Sequence, residues 1–380
     1  MGFLRAITRG FYKNVSKPIL FQMDPERVHD RFISLGETLG RYKVARAFLS
    51  AVSTECNEVA SSPILAQDLF GLHFSNPFGV AGGFDKDARL TDVFPALHFG
   101  FMEIGSVTWQ PYPGNPPPRL MRFPKTGSIW VNYGLKNQGA EAIYNRLKQK
   151  QFTISLWINV AKTNCKETVD RDAAVKDYCE SLKIFRDLAS VFTVNISCPN
   201  AFGGQPFHKA EDLDLLLKGV STLQLAQPIF LKISPEISDS ELDALLAVCD
   251  RYKVDGIIIS NLRKEKVFED IDPSERGNVP EHGGFSGAYL KPYADKMLAY
   301  VAGKIKRGEC KKYILVGLGG VRTAEDAYKK IRLGANLVQL VTGMIFEGPQ
   351  VIGDLSDGLY SLLKKDGFTR LQDAVGVDVK

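Results

Sequence analysis

The 380-residue chain predicts an α/β fold, a (β/α)8 TIM barrel with an N-terminal helical extension. Three observations carry that reading. Between about residue 75 and residue 350, eight short apolar runs alternate with amphipathic stretches. Residues 1–60 read as helical and hold no glycine-rich turn. No GxGxxG follows the first apolar run, which weighs against a doubly wound open sheet.

The expected strands are residues 77–82, 102–108, 156–161, 192–197, 229–233, 256–260, 313–317 and 337–341. Each is rich in Val, Ile, Leu or Phe, as a strand buried on both faces must be. Helices are expected at 170–187, 238–252 and 324–333, and the connection between the second and third strands carries a proline-rich piece, 111–118. The chain divides into an extension, 1–60, and a barrel domain, 61–380.

Composition excludes several classes. The six cysteines (Cys56, Cys165, Cys179, Cys198, Cys249 and Cys310) form no CxxC pair and the five histidines do not cluster, so neither a metal site nor a disulfide framework is expected. No run of about 18 apolar residues occurs, so no membrane span is expected. The net charge of +5 suits an anionic substrate or a membrane surface but carries little weight, and no nucleic-acid partner is expected.

Barrel chemistry sits at the C-terminal strand ends. Polar residues and glycines follow the runs there: Asp85 and Lys86, Ser106 and Thr108, Asn159 and Lys162, Asn195 to Asn200, Lys232, Ser260 and Asn261, Gly319 and Gly320, Thr342 and Gly343. The glycines after strands seven and eight suit a phosphate, since bare amides point inward; alone, each also suits a plain tight turn. Residues 283–287 read as a third glycine loop before a helix.

Lys86 and Lys232 end buried runs, where an ammonium needs an anion. Lys232 suits the charge a flavin ring gains on reduction, and Lys86 a substrate carboxylate. Pairing with Asp85 or Glu236 is the plainer alternative. Asn195 and Asn200 offer amides that match a pyrimidine or imide edge. Cys198 lies between them and, as a thiolate, can take a proton from carbon. An isolated cysteine is more often a small buried apolar residue.

These motifs resemble the dihydroorotate dehydrogenase family over nearly the whole chain. The carrying stretches are residues 81–87, 103–108, 113–120, 195–200, 283–287 and 316–320. The resemblance implies FMN contacts at Ala81, Gly83, Ser106, Asn159, Asn195, Lys232, Ser260, Gly287, Gly319, Gly320, Thr342 and Gly343. It implies substrate contacts at Lys86, Asn195, Asn200 and Asn261, with Asn132 one place from a position that usually supplies an amide. Cys198 would remove the C5 proton while hydride leaves C6 for flavin N5, turning dihydroorotate into orotate in pyrimidine biosynthesis.

Residues 18–29 resemble the two-helix extension of the quinone-linked branch, which places His29 and Arg119 along a quinone tunnel. Phe3, Ile7 and Phe11 recur every four residues, interleaved with Arg5, Arg9, Lys13 and Lys17, a basic amphipathic pattern suited to an anionic membrane. The expected location is peripheral, on the cytoplasmic face of a bacterial-type inner membrane.

Three departures stand out. Cys198 is the base of the soluble branches, where the quinone-linked branch has serine; Val131 stands where an asparagine is usual; and residues 201–205 differ from the quinone-linked pattern. They keep open a different dihydropyrimidine or cyclic imide as substrate, fumarate or NAD as acceptor, and a barrel that only binds.

Overall fold

The structure, a computed structural model, describes residues 2–54, 56–60, 62–198, 200–204 and 206–380. Pro199, inside the Asn195 to Asn200 motif, and Gln205 lie outside the described residues.

Strands β1 (Gln67–Leu69) and β2 (Leu72–Phe74) pair as an antiparallel hairpin. The barrel opens with β3 (Phe78–Val80) and β4 (Phe101–Val107). In the long connection that follows, β5 (Leu120–Phe123) and β6 (Ser128–Val131) form a second hairpin. The barrel resumes with β7 (Ser155–Val160), β8 (Val191–Asn195), β9 (Ile229–Ile233) and β10 (Gly256–Ile259). Then β11 (Gly284–Gly287) leaves it to pair with β6, and β12 (Ile314–Leu318) and β13 (Leu337–Leu340) close the ring.

All eight expected strands are present, each neighbouring the next in chain order and pairing in parallel. The expected helices are Arg171–Ile184, Asp239–Cys249 and Ala324–Arg332. The first two start one residue late because Asp170 and Ser238 serve as N-caps, their side chains accepting from the backbone N–H of Ala173 and Glu241. One expectation is corrected: residues 284–287 are a strand, not a loop, because their backbone groups find partners across β6.

Side chains alternate along a strand, so the inward-facing ones stack in layers. Phe101, Trp157, Val191, Phe230, Ile258, Val316 and Leu337 form the lowest layer with Phe74 of β2, separate from the apolar core outside the barrel. The rings of Phe101 and Trp157 are 4.6 Å apart, and those of Trp157 and Phe230 4.7 Å. Gly79 and Gly256 leave room for them, since a Cβ would stand 2.3 Å from Phe101 and 2.1 Å from Phe230. Two residues further along, Glu103, Asn159, Thr193, Lys232, Ser260 and Gln339 make a buried polar layer. Polar residues inside a barrel are costly unless something uses them.

The N-terminal helices are α1 (Phe3–Phe11), α2 (Lys17–Gln22), α3 (Pro25–Gly40) and α4 (Lys43–Ser53). In α3 the Asp24 cap accepts from the Arg27 N–H at 2.8 Å and Pro25 opens the first turn. The orientation of α1 reverses the expected docking. Its basic side chains turn toward the barrel: Arg5 is fully buried against Asp354 and Asp357, Arg9 pairs with Asp354, and Lys13 with Glu347. Its apolar side chains turn outward, with Phe3 82% exposed, Ile7 50% and Phe11 59%. No helix among the described residues is long and apolar enough to cross a membrane.

Candidate active site

A cavity opens at the C-terminal ends of the barrel strands, where barrel enzymes place their chemistry. Its walls come from four parts of the chain. The barrel supplies Ala81, Gly83, Lys86, Ser106, Asn195, Cys198, Asn200, Lys232, Ser260 and Asn261; the sheet of β5, β6 and β11 supplies Leu120, Ile129, Val131 and Ser286; and α3 supplies His29. Tyr133, Leu135 and Lys136 close the side beyond β6.

Cys198 follows β8, and its exposed part faces this cavity. Burial pushes its thiol up to about 11. The backbone N–H groups of Asn200 and Ala201 and the Lys162 ammonium oppose that rise by favouring the thiolate. Lys162 is itself buried, donating to Phe202 O at 2.8 Å and Thr168 Oγ1 at 3.3 Å. It anchors the loop after Cys198 and holds a positive charge near the sulfur.

The asparagines are fixed by the chain itself. Asn195 Nδ2 donates to Ser106 Oγ at 2.8 Å, while its Oδ1 accepts from Ser197 N and Oγ. Asn261 Nδ2 donates to Ser197 O at 3.1 Å. Asn200 Nδ2 donates to Val131 O at 3.0 Å. Asn115 joins three of these segments: its Nδ2 reaches Asn132 Oδ1 and Asn200 O, and its Oδ1 accepts from Tyr112 and Asn164. Asn132 is therefore engaged by Asn115 and is not among the cavity-lining residues, whereas Val131 is.

Lys86 lies 4.0 Å from the centre of the Tyr133 ring. Burial, reinforced by the Lys136 charge, pushes its ammonium down to about 8. His29 Nε2 donates to Phe84 O, 2.9 Å away, and burial lowers its pKa, so its ring is neutral near pH 7. Arg119 spans from β5 to α3, pairing with Glu26 at 2.7 Å; it does not line the cavity.

Gly287, Gly319, Gly320, Thr342 and Gly343 also stand just outside the lining, next in sequence to Ser286, Leu318 and Val341, which are in it. Gly319 and Gly320 hold positive φ of 102° and 74°, as a turn directly after β12 requires. Thr342 Oγ1 lies 2.9 Å from Ser286 Oγ. Asn159 is buried beneath the lining, its Nδ2 on the Glu103 carboxylate.

The donor set fits a flavin. Asn159 Oδ1 and Gln339 Oε1, in the same layer as the Lys232 ammonium, are buried acceptors without a hydrogen-bond partner. A Cβ on Gly83 would meet nothing within 4 Å, so glycine keeps that part of the cavity open. Sequence reasoning missed Glu103, Gln339, Asn115 and Tyr133. For the first two the signal was present: each falls two residues after an apolar floor residue, on the same strand face.

The family model for dihydroorotate dehydrogenase matches residues 64–363. A dihydroorotate dehydrogenase (quinone) of Parvibaculum lavamentivorans is 37% identical over 96% of this chain and 98% of its own length. One from Haloarcula marismortui is 34% identical over 96% and 99%. The crystal structure of an Eimeria tenella enzyme of this type, in complex with ferulenol, superposes with a TM-score of 0.81 at 27% identity, covering 93% of this chain and 96% of that one.

Proposed function

The chain belongs to the dihydroorotate dehydrogenase family, and on that premise we propose that it oxidises dihydroorotate to orotate with FMN as its resident cofactor and a membrane quinone as acceptor. The observation that carries this is convergence. One thiol, two ammonium groups and three asparagine amides, from four strand ends, meet in a single cavity.

Bound FMN supplies the hydride acceptor. It would be held by Ala81, Gly83, Ser106, Asn159, Asn195, Lys232 and Ser260 around the ring, and by the turns at Gly287, Gly319, Gly320, Thr342 and Gly343 at the phosphate. Lys86 holds the substrate carboxylate, and Asn195, Asn200 and Asn261 fix the ring. Cys198 Sγ takes the C5 proton, and the Lys162 charge steadies the thiolate that must form first. Glu26, His29 and Arg119 border the approach from α3, which suits entry of a quinone.

Turnover with dihydroorotate and a short-chain quinone tests the reading, run against dihydrouracil, fumarate and NAD. Dihydrouracil lacks the carboxylate, so the lost charged contact should lower kcat/KM about ten- to hundredfold. Equal turnover of the two substrates would instead favour the reading that the apolar Val131 wall supports, a dehydrogenase of another cyclic imide. Turnover with fumarate or NAD but not quinone would remove the acceptor assignment.

We further propose that the chain sits peripherally on the cytoplasmic face of a membrane, through the outward face of α1. Its basic groups are already paired with Asp354, Asp357 and Glu347, so the attraction is apolar rather than electrostatic. Co-sedimentation with uncharged phosphatidylcholine vesicles is expected to persist in high salt. Phe3→Ser/Ile7→Ser/Phe11→Ser should abolish it while leaving the barrel folded. A requirement for anionic lipid would contradict this.

A further inference from the structure

Glu103 is the one carboxylate of the polar layer, and the proposed chemistry does not use it. It lies on β4, fully buried, inside the barrel. Its Oε2 accepts from Gln339 Nε2 at 2.6 Å and from the Gly82 N–H at 3.1 Å, and stands 3.8 Å from Lys232 Nζ. Its Oε1 accepts from Asn159 Nδ2. The donors thus come from β7, β9, β13 and the turn after β3.

A carboxylate taken out of water costs several kcal/mol, and a neutral amide of the same shape would fill this space more cheaply. What the charge adds is specific. It holds the Lys232 ammonium, which lines the cavity directly above. It also fixes the Asn159 amide with Nδ2 downward, leaving Oδ1 without a partner.

Building on the flavin reading above, we propose that Glu103 is a positioning residue that sets the electron affinity of the bound flavin. Its negative charge offsets part of the positive field that Lys232 applies to the ring, and its oxygens keep Lys232 and Asn159 in register. Removing that charge leaves Lys232 uncompensated, which favours the negative charge the ring gains on reduction.

The test is the flavin midpoint potential of the FMN-loaded protein, titrated spectrophotometrically against a reference dye. Glu103→Gln should shift the reduction equilibrium about tenfold toward the reduced form, about 30 mV for a two-electron couple. Glu103→Asp, which keeps the charge, should stay closer to wild type. Lys232→Met should move the potential the other way, and Glu103→Gln/Lys232→Met should return it toward wild type. An unchanged potential in Glu103→Gln would overturn the proposal. If that variant does not fold, equal potentials for Lys232→Met and the double variant would overturn it. A wild-type chain that takes up no FMN would sink the functional reading instead, a result distinct from either.

Discussion

Replacing Cys198 with alanine is expected to cut turnover on dihydroorotate about a thousandfold while leaving the flavin absorption spectrum in place. Removing a general base costs about 10²- to 10⁴-fold. The adjacent Ser197 Oγ is engaged by Asn195 Oδ1. The sulfur contributes to none of the turns proposed to hold the phosphate, so cofactor binding should survive. Anaerobic stopped-flow reduction of the flavin reads the step directly, and a rate near wild type would reject the assignment. Cys198→Ser should keep a fraction of the activity and need higher pH, because a hydroxyl is harder to ionise than a thiol.

The second large effect concerns Lys86. The reactive form needs Cys198 as thiolate and Lys86 as ammonium, yet the thiol titrates at about 11 and the ammonium at about 8. The pair is therefore in reverse protonation, and the reactive form is a minority at every pH. Below pH 8 each unit of pH brings ten times more thiolate, so kcat/KM climbs. Above 8 the gain in thiolate is cancelled by the loss of ammonium, and the profile flattens until about 11. Lys86→Met should lower kcat/KM at pH 7 by about ten- to hundredfold, the worth of a charged hydrogen bond. It should also remove the break near 8, so that the variant's profile keeps climbing. A retained break would assign that titration to another group.

The barrel was legible because each of its strands is buried on both faces, which writes an uninterrupted apolar run into the sequence. The candidate site was legible for a related reason: Lys232 is a costly residue within such a run, and Lys86 and Cys198 lie in the turns that follow two others. What stayed hidden depends on contacts between distant segments. The periodicity of α1 defines two faces but not which one docks; only Asp354 and Asp357, some 350 positions away, decide that. Residues 284–287 look like a loop until β6 supplies partners. Asn132 and Asn115 are both amides near the expected position, and no local pattern says that they bind each other.

The layer of rings beneath Glu103 has a consequence for traffic. With Phe74, Phe101, Trp157 and Phe230 packed across the lower end of the barrel, the described residues leave no back door. Reactants must therefore reach the cavity from its upper end, where His29 of α3 forms part of the wall. A single mouth makes substrate and product share one doorway, so release of one must precede entry of the next.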